Sequence, residues 1–315
     1  MFVHLRLHTE YSVADGTCRI DQVVQRAVKF SQPAMAITDI HNLFGAVKFY
    51  TACRESGVQP IIGAEVNLCL DQFNGAHAHS KILLLAQSHK GYLNLCELLT
   101  RSWVLQDSKS HVPTIKWAWL ENLRDGLILL SGGQFGPVGQ ALLQDNGEIA
   151  EKICNAFIKI FPDRFYLDLQ RAGRADEERY IASAVALASR LKLPVVATHP
   201  VQFLESQDFE AHEARVCIAQ GEILGNPKRS KLFTREQYFK SSEEMQILFA
   251  DIPSAISNTL NIAKRCHLQL TLGKPQLPEY PTPSEGGETV PIDVYFRKVS
   301  QAGLVERLSK LYPDP

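Results

Sequence analysis

His4, Arg6 and His8 alternate along the opening run "FVHLRLHT". On an extended strand, successive side chains point to opposite faces, so these three share one. Two imidazoles side by side suit a metal ion, but a guanidinium between them has no lone pair to give. Further candidate ligands gather near the ends of other apolar runs. They are Asp15 after the first run, Asp39 and His41 after "AMAITD", and Glu65 inside "PIIGAEVNLCL". His77 and His79 precede "KILLLAQ", Asp168 lies in "RFYLDLQ" and His199 follows "PVVAT". Imidazole and carboxylate together suit Zn²⁺, Mn²⁺ or Fe²⁺, and several such ions close together would make a phosphoesterase centre. Arg6 and Lys81 pull the other way. In the same pocket they would repel a divalent ion and act as countercharges for buried Asp15, Asp39 and Glu65, giving an ion-paired network in place of a metal site. No Ser-His-Asp or Cys-His arrangement stands out.

The elements that must position these residues follow from the hydrophobic pattern. Seven strand-like runs, "FVHLRLHT", "AMAITD", "PIIGAEVNLCL", "KILLLAQ", "GLILLSG", "RFYLDLQ" and "PVVATH", alternate with amphipathic stretches such as "DQVVQRAVKF", "YLNLCELLTRSWVL" and "EIAEKICNAFIKIF". Seven strands, each followed by a helix, predict a parallel α/β fold whose C-terminal strand rim carries the chemistry. From Ser206 to Leu270 the pattern turns helical. "GKPQLPEYPTPSEGGE", with four prolines and three glycines in sixteen residues, then reads as a linker. The expected organisation is a first domain over 1–272, a linker over 273–290 and the truncated start of a second domain over 291–315.

The bulk numbers fit this division. The chain has 315 residues, 45% of them hydrophobic and 21% charged, as an ordinary globular protein has. No apolar run is long enough for a membrane span and no basic-then-apolar leader opens the chain, so a cytoplasmic protein is expected. Seven scattered cysteines without a CxxC pair predict buried, reduced thiols. A net charge of −1 advertises no global affinity for nucleic acid. Two local features remain. "SGGQFG", from Ser131 to Gly136, lacks the lysine and spacing of a P-loop and reads as a turn before a helix. "NPKRSKLFTREQYFK" interleaves basic and aromatic residues, a contact for nucleic acid or a partner, or a solvated loop.

Together "FVHLRLHTEYSVADG", "AITDIHNLFGAVKFY", "IIGAEVN", "FPDRFYLDLQRAGR", "PVVATH", "KSSEEMQILFADIPSAISNT" and "IAKRC" resemble, in order and over essentially the whole chain, the N-terminal PHP domain of bacterial DNA polymerase III alpha subunits. The resemblance implies a distorted seven-stranded β/α barrel, followed by a helical segment and the start of the polymerase palm region. Metal-binding members read approximately "HLHxHSxYSLLDG", "TDHGN", "GxE", a histidine in the fourth strand, another after the sixth, and "ATNDxHY". Against that pattern this sequence keeps His8, Asp15, Asp39 and Glu65. It places Arg6, Ile40, Lys81, Ala172, Pro200 and Gln202 where the other ligands belong. The resemblance therefore implies a vestigial metal site, with no catalytic residue and no metal in this stretch. It also implies a structural module that supports the polymerase thumb and docks the proofreading exonuclease (epsilon) subunit, meeting DNA only through the intact subunit. Deoxynucleotide addition would use Mg²⁺ on palm aspartates beyond residue 315. The rival expectation is a residual metal-dependent phosphoesterase or 3′→5′ exonuclease using His8, Asp15, Asp39, Glu65 and His199. A free-standing histidinol phosphatase type is disfavoured by the "EEMQILFADIP" helices.

Overall fold

Short runs that are apolar on both faces form the centre of the first unit. In the computed structural model they pair as β1 (Ala34–Ile37), β2 (Gln59–Cys69), β3 (Ser80–Ala86), β4 (Ile115–Lys116), β5 (Leu127–Leu130), β6 (Phe165–Leu169) and β7 (Val195–Ala197). The order across the sheet is β1-β2-β3-β5-β6-β7, with β4 beside β2. The structure describes residues 1–70, 80–105, 112–226, 228–275, 278, 280–285 and 288–313.

Two expectations need correcting. The sheet is not wholly parallel, because β3 runs antiparallel to both β2 and β5. Its seventh strand is the two-residue β4, and the opening run Phe2–Thr9 is no regular strand. It makes single parallel bridges, His4 to Met35 in β1 and Leu7 to Val201 just past β7. Through Ala36 N–H to His4 C=O (2.8 Å), Thr38 N–H to Leu7 C=O (3.0 Å) and His8 N–H to Val201 C=O (3.0 Å), it joins the two sheet edges. The result is a mixed, curled sheet closed by isolated bridges.

Alternate strand residues divide between two cores, as the two-residue period dictates. Leu83, Leu85, Ile128, Leu130, Val196 and Ala36 pack inside the curl with Val3 and Leu5. Ile82, Leu84, Leu127, Leu129, Leu167 and Ala197 face the surrounding helices. Those helices are α1 (Ile20–Lys29), α2 (Ala46–Glu55), α3 (His89–Val104), α4 (Trp117–Asn122), α5 (Pro137–Leu143), α6 (Gly147–Ile160) and α7 (Glu177–Leu191). Three more follow, α8 (Phe209–Gln220), α9 (Ser242–Leu248) and α10 (Pro253–Ala263). Ser241 and Glu244 close a capping box at the start of α9, and proline sits in the first turn of α10, where no N–H is needed. Helix α10 packs against β7 and closes onto the inner core. Its Ile262 and Ala263 join the inner core, and Thr259 Oγ1 accepts from Val3 N–H at 3.1 Å.

The chain divides into two compact units, Met1–Gln269 and Leu270–Pro315. The second holds β8 (Ser284–Glu285) paired with β9 (Glu288–Thr289), and α11 (Ile292–Leu311), none of whose residues is buried. All seven cysteines are free thiols, five of them buried. No described helix is long and apolar enough to cross a membrane.

Candidate functional site

Glu65 sits in mid-β2 where the strand passes the C-terminal end of β1. Its C=O accepts from His41 N–H at 2.9 Å, and its N–H donates to Asp39 C=O at 3.2 Å. Its side chain is buried and points into a cluster of cations. Arg6 Nη2 donates to Oε2, Lys81 Nζ lies 2.7 Å from Oε1, and His8 Nε2 lies 3.2 Å from Oε2. Arg6 also reaches Asp168 Oδ2 at 3.6 Å, and His8 Nδ1 reaches Asp15 Oδ1 at 3.1 Å. A chain of alternating charge thus runs from Asp15 through His8, Glu65 and Arg6 to Asp168, with Lys81 on its more open side.

The proton positions follow from that order. Burial alone would push the Glu65 carboxyl up, but Arg6, Lys81 and His8 together hold it well below the usual glutamate range. Burial would push His8 down, yet Asp15 and Glu65 outweigh it and raise the imidazole to about 9, so both ring nitrogens carry protons at neutral pH. Asp15, against its own burial, is lowered mainly by His8.

Asp39 is handled by neutral donors. Thr9 N–H (2.6 Å) and Ser12 Oγ–H (2.6 Å) donate to Oδ1, and Thr9 Oγ1–H (2.7 Å) to Oδ2. With burial opposing those bonds and winning, its carboxyl is pushed above the ordinary aspartate value. Asp168 is likewise encircled, by Ser131 Oγ (2.9 Å), Gly133 N–H (2.8 Å), Gln170 Nε2 (3.0 Å) and Thr198 Oγ1 (3.1 Å). The "SGGQFG" turn therefore spends an amide and a hydroxyl on a carboxylate of the protein itself.

Three other candidate histidines, His4, His199 and His41, take no part in these ion pairs. His4 Nε2 donates to Lys240 C=O at 2.8 Å, and His199 Nε2 to Glu236 C=O at 2.9 Å. Burial holds His4 at about 4 and His199 well below its ordinary value. His41 Nε2 accepts from Asn67 N–H at 2.8 Å, and burial takes that ring to about 4. Ile40 bridges to Glu65 through backbone, with its own N–H on Ser12 Oγ at 3.3 Å. Ala172 is buried with its N–H on Glu177 Oε2 (2.8 Å), and the Pro200 carbonyl accepts from Gln237 Nε2 at 3.4 Å. Gln202 is buried and joins Thr17 and Gln237 through its backbone. His77 and His79 lie outside the described residues. Sequence reasoning missed Arg174, half-buried, which donates to Gln170 Oε1 at 3.1 Å. Burial and Arg6 bring it down to about 10, so the rim gains a further cation. Among the described residues no three His, Cys, Asp or Glu side chains group so as to hold a metal ion.

Residues 4–172 match the family model for the PHP domain. The chain belongs to the PHP domain family. Over 99% of its length this PHP chain is 45% identical to the DNA polymerase III subunit alpha of Pseudomonas fluorescens, and 44% identical to that of Escherichia coli strain K12. It covers 26% of each, about a quarter of the length of these curated relatives. Among solved structures it is similar to an amidohydrolase from Chromobacterium violaceum with bound sulfate and no metal. That likeness has a TM-score of 0.44 and 13% identity, over 64% of this chain and 88% of that one.

Proposed function

We propose that this chain is the N-terminal PHP portion of the catalytic alpha subunit of a cytoplasmic replicative DNA polymerase. In this reading its former metal rim has become a rigid, non-hydrolytic support that steadies the polymerase thumb and docks the proofreading exonuclease subunit. Nucleotide addition, with Mg²⁺ on palm aspartates, belongs to the rest of the subunit, and DNA is met through that whole.

One observation carries the reading: Glu65 takes its countercharge from Arg6, Lys81 and a protonated His8. The rim as built does not fit a cluster of divalent ions. Its four retained ligand types are Glu65, ion-paired on both oxygens, Asp39, holding three donors, and Asp15 and His8, bound to each other. A divalent ion would have to displace two fixed cations and a proton, each stabilised by a buried carboxylate. A barrel mouth tied by such pairs is inert toward phosphate esters and stiff, which suits a docking platform.

Removing residues 1–269 from the intact subunit is expected to weaken its affinity for the exonuclease subunit by at least about a hundredfold in a binding titration. Unchanged affinity would contradict the docking role. Cleavage of a phosphate diester by the intact subunit, abolished by Glu65→Gln yet retained in a palm-aspartate variant, would revive the phosphoesterase reading.

A further inference from the structure

The basic and aromatic stretch near residue 230 is spent within the chain, with Arg229 on Glu213, Lys240 on Glu236 at 2.7 Å and Tyr238 O–H on Glu244 Oε1 at 2.6 Å. Unused binding capacity lies elsewhere, between the turn after β1 and the end of α3. Helix α3 contributes Leu99, Trp103 and Val104, and the turn contributes Leu43 and Phe44. Together with His41 they enclose a pocket of about 630 Å³, of a size that takes a small molecule.

The two sides are tied together. Trp103 Nε1–H donates to His41 C=O at 2.8 Å. Asn42 holds the turn by donating to Tyr11 C=O (3.0 Å) and Ile40 C=O (2.9 Å) while its Oδ1 accepts from Phe44 N–H (3.1 Å). A pocket braced in this way has little order left to lose on binding. Its aromatic surface is open, with Phe44 72% exposed and Trp103 49%, so a flat partner has rings to stack on. Among the described residues no Asp, Glu, Lys or Arg lines it. An ion would shed its water there without a partner, and a phosphate backbone would find no cation.

One buried polar group of the lining is left over. His41 is 2% exposed, and its Nε2 accepts from Asn67 N–H at 2.8 Å, which places the ring proton on Nδ1. That N–H meets no acceptor. A buried donor without a partner is costly, and an acceptor carried by an occupant of the pocket would remove the cost.

We propose that this pocket binds a neutral, planar heteroaromatic molecule that stacks on Phe44 and Trp103 and accepts a hydrogen bond from His41 Nδ1–H. The site uses none of the ion-paired side chains of the rim, and it does not depend on the docking role proposed above.

The test is equilibrium dialysis of the full-length protein against quinoline, a neutral bicycle whose ring nitrogen accepts a hydrogen bond. Saturable binding with a Kd on the order of 100 µM is expected. Naphthalene, which has the same shape and no acceptor, and N-methylquinolinium, which is charged with its nitrogen blocked, should each bind at least about tenfold more weakly. Phe44→Ala and Val104→Lys, both at exposed positions, should each weaken quinoline by about tenfold without moving the thermal midpoint. Excess oligo(dT) of twenty nucleotides should leave quinoline binding unchanged. Absence of saturable binding, equal affinity for the three probes, or indifference to both substitutions would overturn the proposal, and competition by oligo(dT) would overturn it in favour of a base within a strand.

Discussion

At the scale of single residues, the rim turns on how Glu65 is neutralised. Removing one partner of a buried ion pair strands the other charge, which costs about 3–5 kcal/mol. Arg6→Met should therefore lower the unfolding free energy by roughly that amount, and so should Glu65→Gln. The double variant should lose clearly less than the sum, because it strands no charge between them; a denaturant-unfolding double-mutant cycle measures the difference. Strict additivity would mean that Arg6 and Glu65 do not interact. Arg6→His alone should not create a metal site, since Lys81 stays on Glu65, Asp39 keeps its three donors and His8 stays bound to Asp15; isothermal titration with Zn²⁺ is expected to show no rim site above the wild-type level. Much of this network could be anticipated from the sequence, because a fixed cation between two histidines demands a carboxylate. That the carboxylate is Glu65 and not Asp39 could not be. Asp39 is satisfied by Thr9 and Ser12 hydroxyls and a backbone N–H, and neutral donors leave no charge pattern to read. Arg174 was illegible for a different reason: its place depends on Gln170, which belongs to no recognisable spacing.

At the scale of elements, the strand and helix runs could be read from periodicity, but their direction could not. A strand buried on both faces is apolar throughout, and an apolar run such as "KILLLAQ" reads the same parallel or antiparallel. The antiparallel β3 has a functional consequence, because it brings Lys81 beside Asn67 in register and so delivers its ammonium to Glu65, two residues earlier on β2. The first run misled because alternation describes an extended segment equally well whether it makes a full ladder or only single bridges. Close packing of the turn after β5 fixes the same region. Gly132 has φ of +88°, and a Cβ there would lie 1.8 Å from the Lys81 carbonyl oxygen. Gly132→Ala should therefore cost at least about 2 kcal/mol through strain and a forced shift of β3. A thermal midpoint indistinguishable from wild type would show that β3 is not held there.

For the whole molecule, the buried histidines set how stability varies with pH, and they act in opposite directions. His8 is raised from 6.5 to about 9 in the folded chain, so its contribution is complete below about 6.5 and disappears as pH rises through about 9. His4 and His41, each lowered to about 4, contribute above 6.5 and lose that contribution as pH falls toward 4, when protons prefer the unfolded chain. Glu65, lowered well below its usual range, adds a further loss at more acid pH. Thermal unfolding should accordingly be most favourable to the fold near pH 6.5, and His8→Gln should flatten the alkaline limb while leaving the acid limb in place; an unaltered alkaline limb would mean that His8 is not protonated between Asp15 and Glu65. The central claim of the proposed reading is that side-chain cations, and not ions from solution, neutralise the buried carboxylates of the rim. Its most direct measurement is elemental analysis of the full-length protein purified without chelator. Zinc, manganese and iron are expected far below one equivalent per chain, unchanged by Glu65→Gln. Two or three equivalents that persist through gel filtration and are lost in that variant would contradict the account.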